Sequence, residues 1–237
     1  MKAVMAVCAL LMLGGCATGG PSNPPWAAFS GGSCGKLSDD QELSMNLADD
    51  MAKEGKLHAS LANLQNLPQG YAQVQLRKAR IYRQLGRPEA GPLYRGLLGT
   101  CLSAEGDHGL GQLAAARGDN TLAASYLERA AQAAPTDEKI RNDLGVVYLK
   151  QQRLEDARFE FMTAIELKQD DPLAAVNLVT LLIYQDDWGQ AAKVVSQLGL
   201  SPEQVTEAQA RAQKLKGSST AAHNVAAASD APPMNLR

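Results

Sequence analysis

Aromatic side chains are scarce in this sequence, 5% of 237 residues, which suits a core of Ala and Leu rather than of rings. Histidine occurs three times, as His58, His108 and His223 in separate segments. A zinc site wants about four converging ligands, so no metal centre is expected. An excess of one charge is missing too: 23 Lys plus Arg stand against 25 Asp plus Glu, a net charge of −2, with no long charged run. Nothing there points to nucleic acid. Four patterns that carry chemistry are absent: G-x-x-x-x-G-K-[ST], H-E-x-x-H, G-x-S-x-G and C-x-x-C. The acid pairs Asp49-Asp50, Asp170-Asp171 and Asp186-Asp187 are adjacent in sequence. A general acid and base must instead converge across a pocket with pKa values pushed apart. The sequence therefore predicts no enzyme and no cofactor.

What the chain does have is a repeat. Leu110, Leu144 and Leu178 are 34 residues apart, as are Gly111, Gly145 and Val179, and Ala114, Tyr148 and Leu182. The phase holds through Ala123, Ala157 and Ala191, then Leu127, Phe161 and Val195, then Ala130, Ala164 and Leu198. The middle copy reads L-G-x2-Y at Leu144, Gly145 and Tyr148, then A-x3-F at Ala157 and Phe161. This resembles the tetratricopeptide (TPR) signature, which puts small residues where two antiparallel helices cross. The resemblance implies an all-α, right-handed α-solenoid of about five helix pairs over residues 38–216, with a C-terminal capping helix.

Individual pairs can be placed. Ser38 followed by acids predicts a capped helix start, with Leu43, Leu47, Ala48 and Met51 as its inward face. Leu57 to Leu67 predicts its partner. The second pair spans about 72–100, and Gly96 and Gly99 should make it the least regular. The third, fourth and fifth span 104–137, 138–171 and 172–200. Ser201-Pro202-Glu203 starts the capping helix, expected to end near Lys216. Residues 217–237 lack periodicity and are expected to be disordered.

Residues 1–15 read as a signal segment. Lys2 is followed by an apolar run, Ala3 to Leu13, about the length of a signal h-region and too short to span a bilayer. L-G-G-C at Leu13 to Cys16 resembles the bacterial lipoprotein signal. That implies a lipid on Cys16, and Ala17 after it implies the outer membrane. Residues 16–37 then form a flexible tether rich in Gly, Pro and Ser, with Trp26 and Phe29 in it. Cys34 and Cys101 remain, an even pair in an oxidising compartment, and read as a disulfide; two separate buried thiols are the alternative.

In TPR proteins, partner contacts recur at set positions on the first helix of each repeat. Carried over, they fall on Leu76, Arg80 and Arg83 in the second pair and on Glu105, His108, Gln112, Ala115 and Ala116 in the third. In the fourth they fall on Lys139, Asn142, Val146, Leu149 and Lys150. In the fifth they are Leu173, Val176, Thr180, Ile183 and Tyr184. The groove should be apolar toward its C-terminal end and basic toward Arg80 and Arg83. Val146 stands where a carboxylate-clamping TPR domain would carry a further Asn. That departure favours an amphipathic helix in the groove.

The run N-D-L-G-V-V-Y-L-K-Q-Q-R-L-E-D-A-R-F-E-F, then A-A-V-N-L-V-T-L-L and G-L-S-P-E-Q, resembles the TadD lipoproteins of the tight-adherence (Flp) pilus assembly system. The similarity is clearest over Lys139 to Gln204. It implies a pilotin-like factor on the periplasmic face of the outer membrane. Its partners would be the secretin and other pilus assembly proteins, and its only prosthetic group the lipid on Cys16. The alternative is an envelope adaptor that recruits a peptidoglycan hydrolase or a protease.

Overall fold

Eleven helices and no strand occur among the described residues, which in this computed structural model are 34–229, with side chains through Gly217. These lie within one compact unit, Gly31–Arg237. Residues 1–33 lie outside the described residues, and with them Cys16, Trp26 and Phe29; so do residues 230–237. Five antiparallel pairs follow one another: α1 (Asp39–Lys53) with α2 (Leu57–Gln65), α3 (Ala72–Gln84) with α4 (Ala90–Leu97), α5 (Ser103–Ala116) with α6 (Asn120–Ala133), α7 (Glu138–Lys150) with α8 (Leu154–Leu167), and α9 (Pro172–Tyr184) with α10 (Trp188–Leu198). A last helix, α11 (Pro202–Ser229), packs on α9. Successive first helices also touch, α3 with α5, α5 with α7 and α7 with α9, so the pairs stack into an all-α solenoid.

Local chemistry sets the breaks. Ser38 and Gln41 form a reciprocal capping box at α1. Asp119, Asp137, Asp171 and Asp187 each accept from a first-turn N–H of α6, α7, α9 and α10. The tight turn within a pair needs a left-handed residue, and Gly118, Gln152 and Asp186, 34 apart, all have φ between 61° and 81°.

The repeat columns explain the packing. A Cβ on Gly145 would lie 2.6 Å from the ring of Phe161, and one on Gly111 would lie 2.7 Å from Leu127. In the fifth pair the same two columns carry Val179 and Val195. A larger residue on the first helix is matched there by a smaller one on the second. Tyr94 and Phe161 are the largest fully buried side chains. Each contributes roughly 2–3 kcal/mol relative to exposure.

Four expectations need correction. Leu43 and Leu47 are 69% and 50% exposed, and Met45 is buried in their place, while Ala48 is buried as expected. As the first helix of the array, α1 buries only the side that meets α2 and α3. Residues 34–37, expected as tether, are docked. Cys34 is bonded to Cys101, Leu37 is buried with Met45 and Val74, and Gln73 Nε2 donates to the Gly35 carbonyl at 3.2 Å. The third correction is at the C-terminal end. The backbone stays helical past Lys216 to Ser229, where disorder was expected from residue 217. Alanines at 221, 222 and 226–228 favour helix by propensity, which a search for apolar faces does not register. The fourth concerns the groove and is given below.

Candidate partner-binding groove

Two adjoining cavities run along the face built from the first helix of each pair. The first, about 510 Å³, is lined from α1, α3, α5 and α7, including Arg77, Arg80, Arg83, His108, Gln112 and Lys139. The second, about 940 Å³, lies between α7, α9 and α11; its walls include Val146, Leu149, Lys150, Leu173, Thr180, Arg211 and Leu215. They meet where His108, in the first, bonds Asp143, in the second, at 2.7 Å.

A polarised chain of side chains runs beneath this face. Arg211 Nη1 on α11 donates to Asn177 Oδ1 on α9 at 2.8 Å. Asn177 Nδ2 donates to Asn142 Oδ1 on α7, also at 2.8 Å. Asn142 Nδ2 reaches Asp143 Oδ1 at 3.3 Å. From α5, His108 Nε2 and Gln112 Nε2 both donate to Asp143 Oδ2 at 2.7 Å. A cation at one end and a carboxylate at the other align two amides between them, so each bond polarises the next. Burial pushes the Asp143 carboxyl up, but the bonds from His108, Gln112 and Asn142 prevail and hold it below the ordinary value of 3.8.

A His–Asp bond is also the base-and-orienter half of a catalytic triad, which needs a nucleophile on the other side of the imidazole. Among the described residues no nucleophile stands at Nδ1 of His108; the Gln112 amide nitrogen, 3.1 Å away, lies beside the same Nε2 that donates to Asp143. The arrangement is a strut between α5 and α7.

Most of the sequence-derived positions border the cavities. Arg80, Arg83, His108, Gln112 and Lys139 line the first, and Asn142, Val146, Leu149, Lys150 and Thr180 the second. Leu76, Val176 and Ile183, 5%, 3% and 4% exposed, do not and belong to the core; Asn142, Leu149 and Thr180 border the second cavity yet are as deeply buried. Tyr184 packs against that core and donates its hydroxyl to Gln152. For the α9 positions the physical reason is that α11 lies over α9 and takes the place the partner was expected to fill. Asp143, Asn177, Arg211 and Leu215 were missed. The first three had a sequence signal, since Asn177 and Arg211 are 34 apart, and His108 to Asp143 and Asn142 to Asn177 are each 35.

Stacked helix pairs presenting two neighbouring cavities along their first helices define a helical-repeat scaffold for binding other proteins. The tetratricopeptide-repeat model matches residues 114–175. The chain is also 42% identical over 214 residues to the TPR repeat-containing protein PA4299 of Pseudomonas aeruginosa, covering 90% of this chain and 85% of that one. It belongs to the TPR-repeat family. Solved structures agree on the fold. MamA from Desulfovibrio magneticus RS-1 is 18% identical with a TM-score of 0.53, covering 73% of this chain and 99% of that one. The structure from a functional characterization of Pseudomonas aeruginosa pilF is 16% identical with a TM-score of 0.59, covering 74% and 88%.

Proposed function

We propose that this protein is a non-enzymatic, lipid-anchored factor of Flp pilus assembly whose groove binds a segment of the secretin, in the manner of a pilotin. The observation that carries the reading is the groove. Two cavities of about 510 and 940 Å³ lie along the first helices, and a hydrogen-bonded chain from α5 to α11 ties those helices together. A preformed surface of this kind binds a partner segment at little cost in ordering. The lipoprotein-like signal ending at Cys16 supports attachment to the outer membrane, facing the periplasm, through a lipid on that residue. The disulfide between Cys34 and Cys101 accords with an oxidising compartment. No cofactor is needed for such a role.

The test is genetic and direct. Changing Cys16→Ser, or deleting the protein, should deplete assembled secretin multimers from outer-membrane fractions. Unchanged multimers would contradict the pilotin role, and co-purification of a peptidoglycan hydrolase or protease without secretin would favour the envelope-adaptor reading.

A further inference from the structure

We propose that the basic half of the groove receives a cluster of Glu or Asp side chains from a separate protein chain, while the apolar half holds the adjoining stretch of the same segment. The inference rests on the reading that this groove is the binding face. It deepens that reading by stating the chemistry of the occupant.

Arg80 and Arg83 lie three residues apart on α3, and Lys139 lies in the first turn of α7; all three border the same cavity of about 510 Å³, whose carboxylates are Asp49, held by Arg77, Asp137, which caps α7, and Glu105. Arg77 in that cavity is satisfied, its guanidinium 2.8 Å from Asp49. Arg80, Arg83 and Lys139 make no side-chain hydrogen bond or ion pair within the described residues, and Arg83 Nε is buried without an acceptor. A buried donor left unmade is costly, and a carboxylate oxygen is the acceptor that suits a guanidinium best.

Residues 1–33 and 218–237 offer no acidic cluster: the first contain no Asp or Glu, and the second only Asp230. A phosphate polymer fits poorly, because the adjoining cavity is walled by Val146, Leu149 and Leu215. An acidic stretch followed by apolar side chains matches both halves. Four first helices, α3 to α9, are crossed in three steps of roughly 9 Å. The span of about 27 Å corresponds to a helical segment of about 18 residues.

The experiment uses the full-length chain and a labelled peptide of about that length, with glutamates in its first half and leucines at i, i+3, i+4 spacing in its second. A second peptide carries Gln for every Glu. The glutamate peptide should bind at least about tenfold more tightly at low salt, with the gap narrowing as salt rises. It should also move the Arg83 Nε–Hε resonance. Both the double variant Arg80→Ala, Arg83→Ala and the milder Lys139→Gln should shrink the gap while binding of the glutamine peptide persists. Equal binding of the two peptides would overturn the inference and leave the groove reading standing. Binding of neither would overturn both. Self-association of the chain that is abolished by Arg83→Glu would assign the cavity to a second copy and also overturn the inference.

Discussion

Asn177 on α9 donates its side-chain amide to Asn142 on α7 at 2.8 Å, with both residues 5% exposed. Asn177 accepts in turn from Arg211 of the capping helix. Removing the middle member strands a donor on one side and an acceptor on the other. Asn177→Ala should lower unfolding free energy by about 1–3 kcal/mol. It should also raise hydrogen exchange in α11 first, since α11 loses a buried polar tie to α9. Denaturant unfolding and exchange mass spectrometry read the two effects.

The disulfide joins residues 67 apart in sequence and ties the chain ahead of α1 to the junction of α4 and α5. In the chain-entropy model, closing such a loop restricts the unfolded state by about 4 kcal/mol. Cys34→Ser and Cys101→Ser should each lower the unfolding midpoint, and the double variant should fall no further than either single one. Treatment of the wild-type chain with a reductant should reproduce the shift.

Gly145 and Phe161 meet so closely that a Cβ has no room. Gly145→Ala should destabilise by about 1–3 kcal/mol through overpacking. Adding Phe161→Val, the pairing the fifth repeat approaches with Val179 and Val195, should recover part of that loss. A positive coupling in the double-mutant cycle checks it.

Two carboxylates should give opposite pH signatures. Asp143 is held below 3.8, so the folded state binds its proton less readily than the unfolded state. Its contribution to stability is present above that value and is lost as pH falls through the folded one. Replacing its two donors from α5, His108→Ala with Gln112→Ala, should raise the Asp143 value in carbon-detected NMR titration. Glu160, by contrast, is pushed above 4.5 by burial, with Arg141 3.0 Å away opposing the shift. Stability it contributes in the protonated form declines as pH rises from 4.5 through the folded value, and Glu160→Gln should flatten that slope.

The repeat was legible because packing in a solenoid is local. Gly145 must face Phe161 one helix away, and the next pair repeats the demand 34 residues on. The two ends were not. Leu43 and Leu47 fit an apolar stripe by spacing, yet no earlier pair exists among the described residues to cover them. At the other end, α11 covers α9, so Val176 and Ile183 became core where the family pattern places contacts. The polar chain was hidden for a different reason. Its members lie 34 or 35 residues apart but differ in type, Asp143 then Asn177 then Arg211, so no column of like residues announces them.

The central claim is that the partner lies along the first helices. A photo-crosslinking amino acid placed in cells at Val146 samples the apolar cavity, and one at Phe159, 64% exposed on α8, samples a helix outside it. The account predicts a covalent adduct with the secretin from Val146 and none from Phe159. A secretin adduct from Phe159 alone, or none from either position in cells that assemble normal multimers, would contradict it.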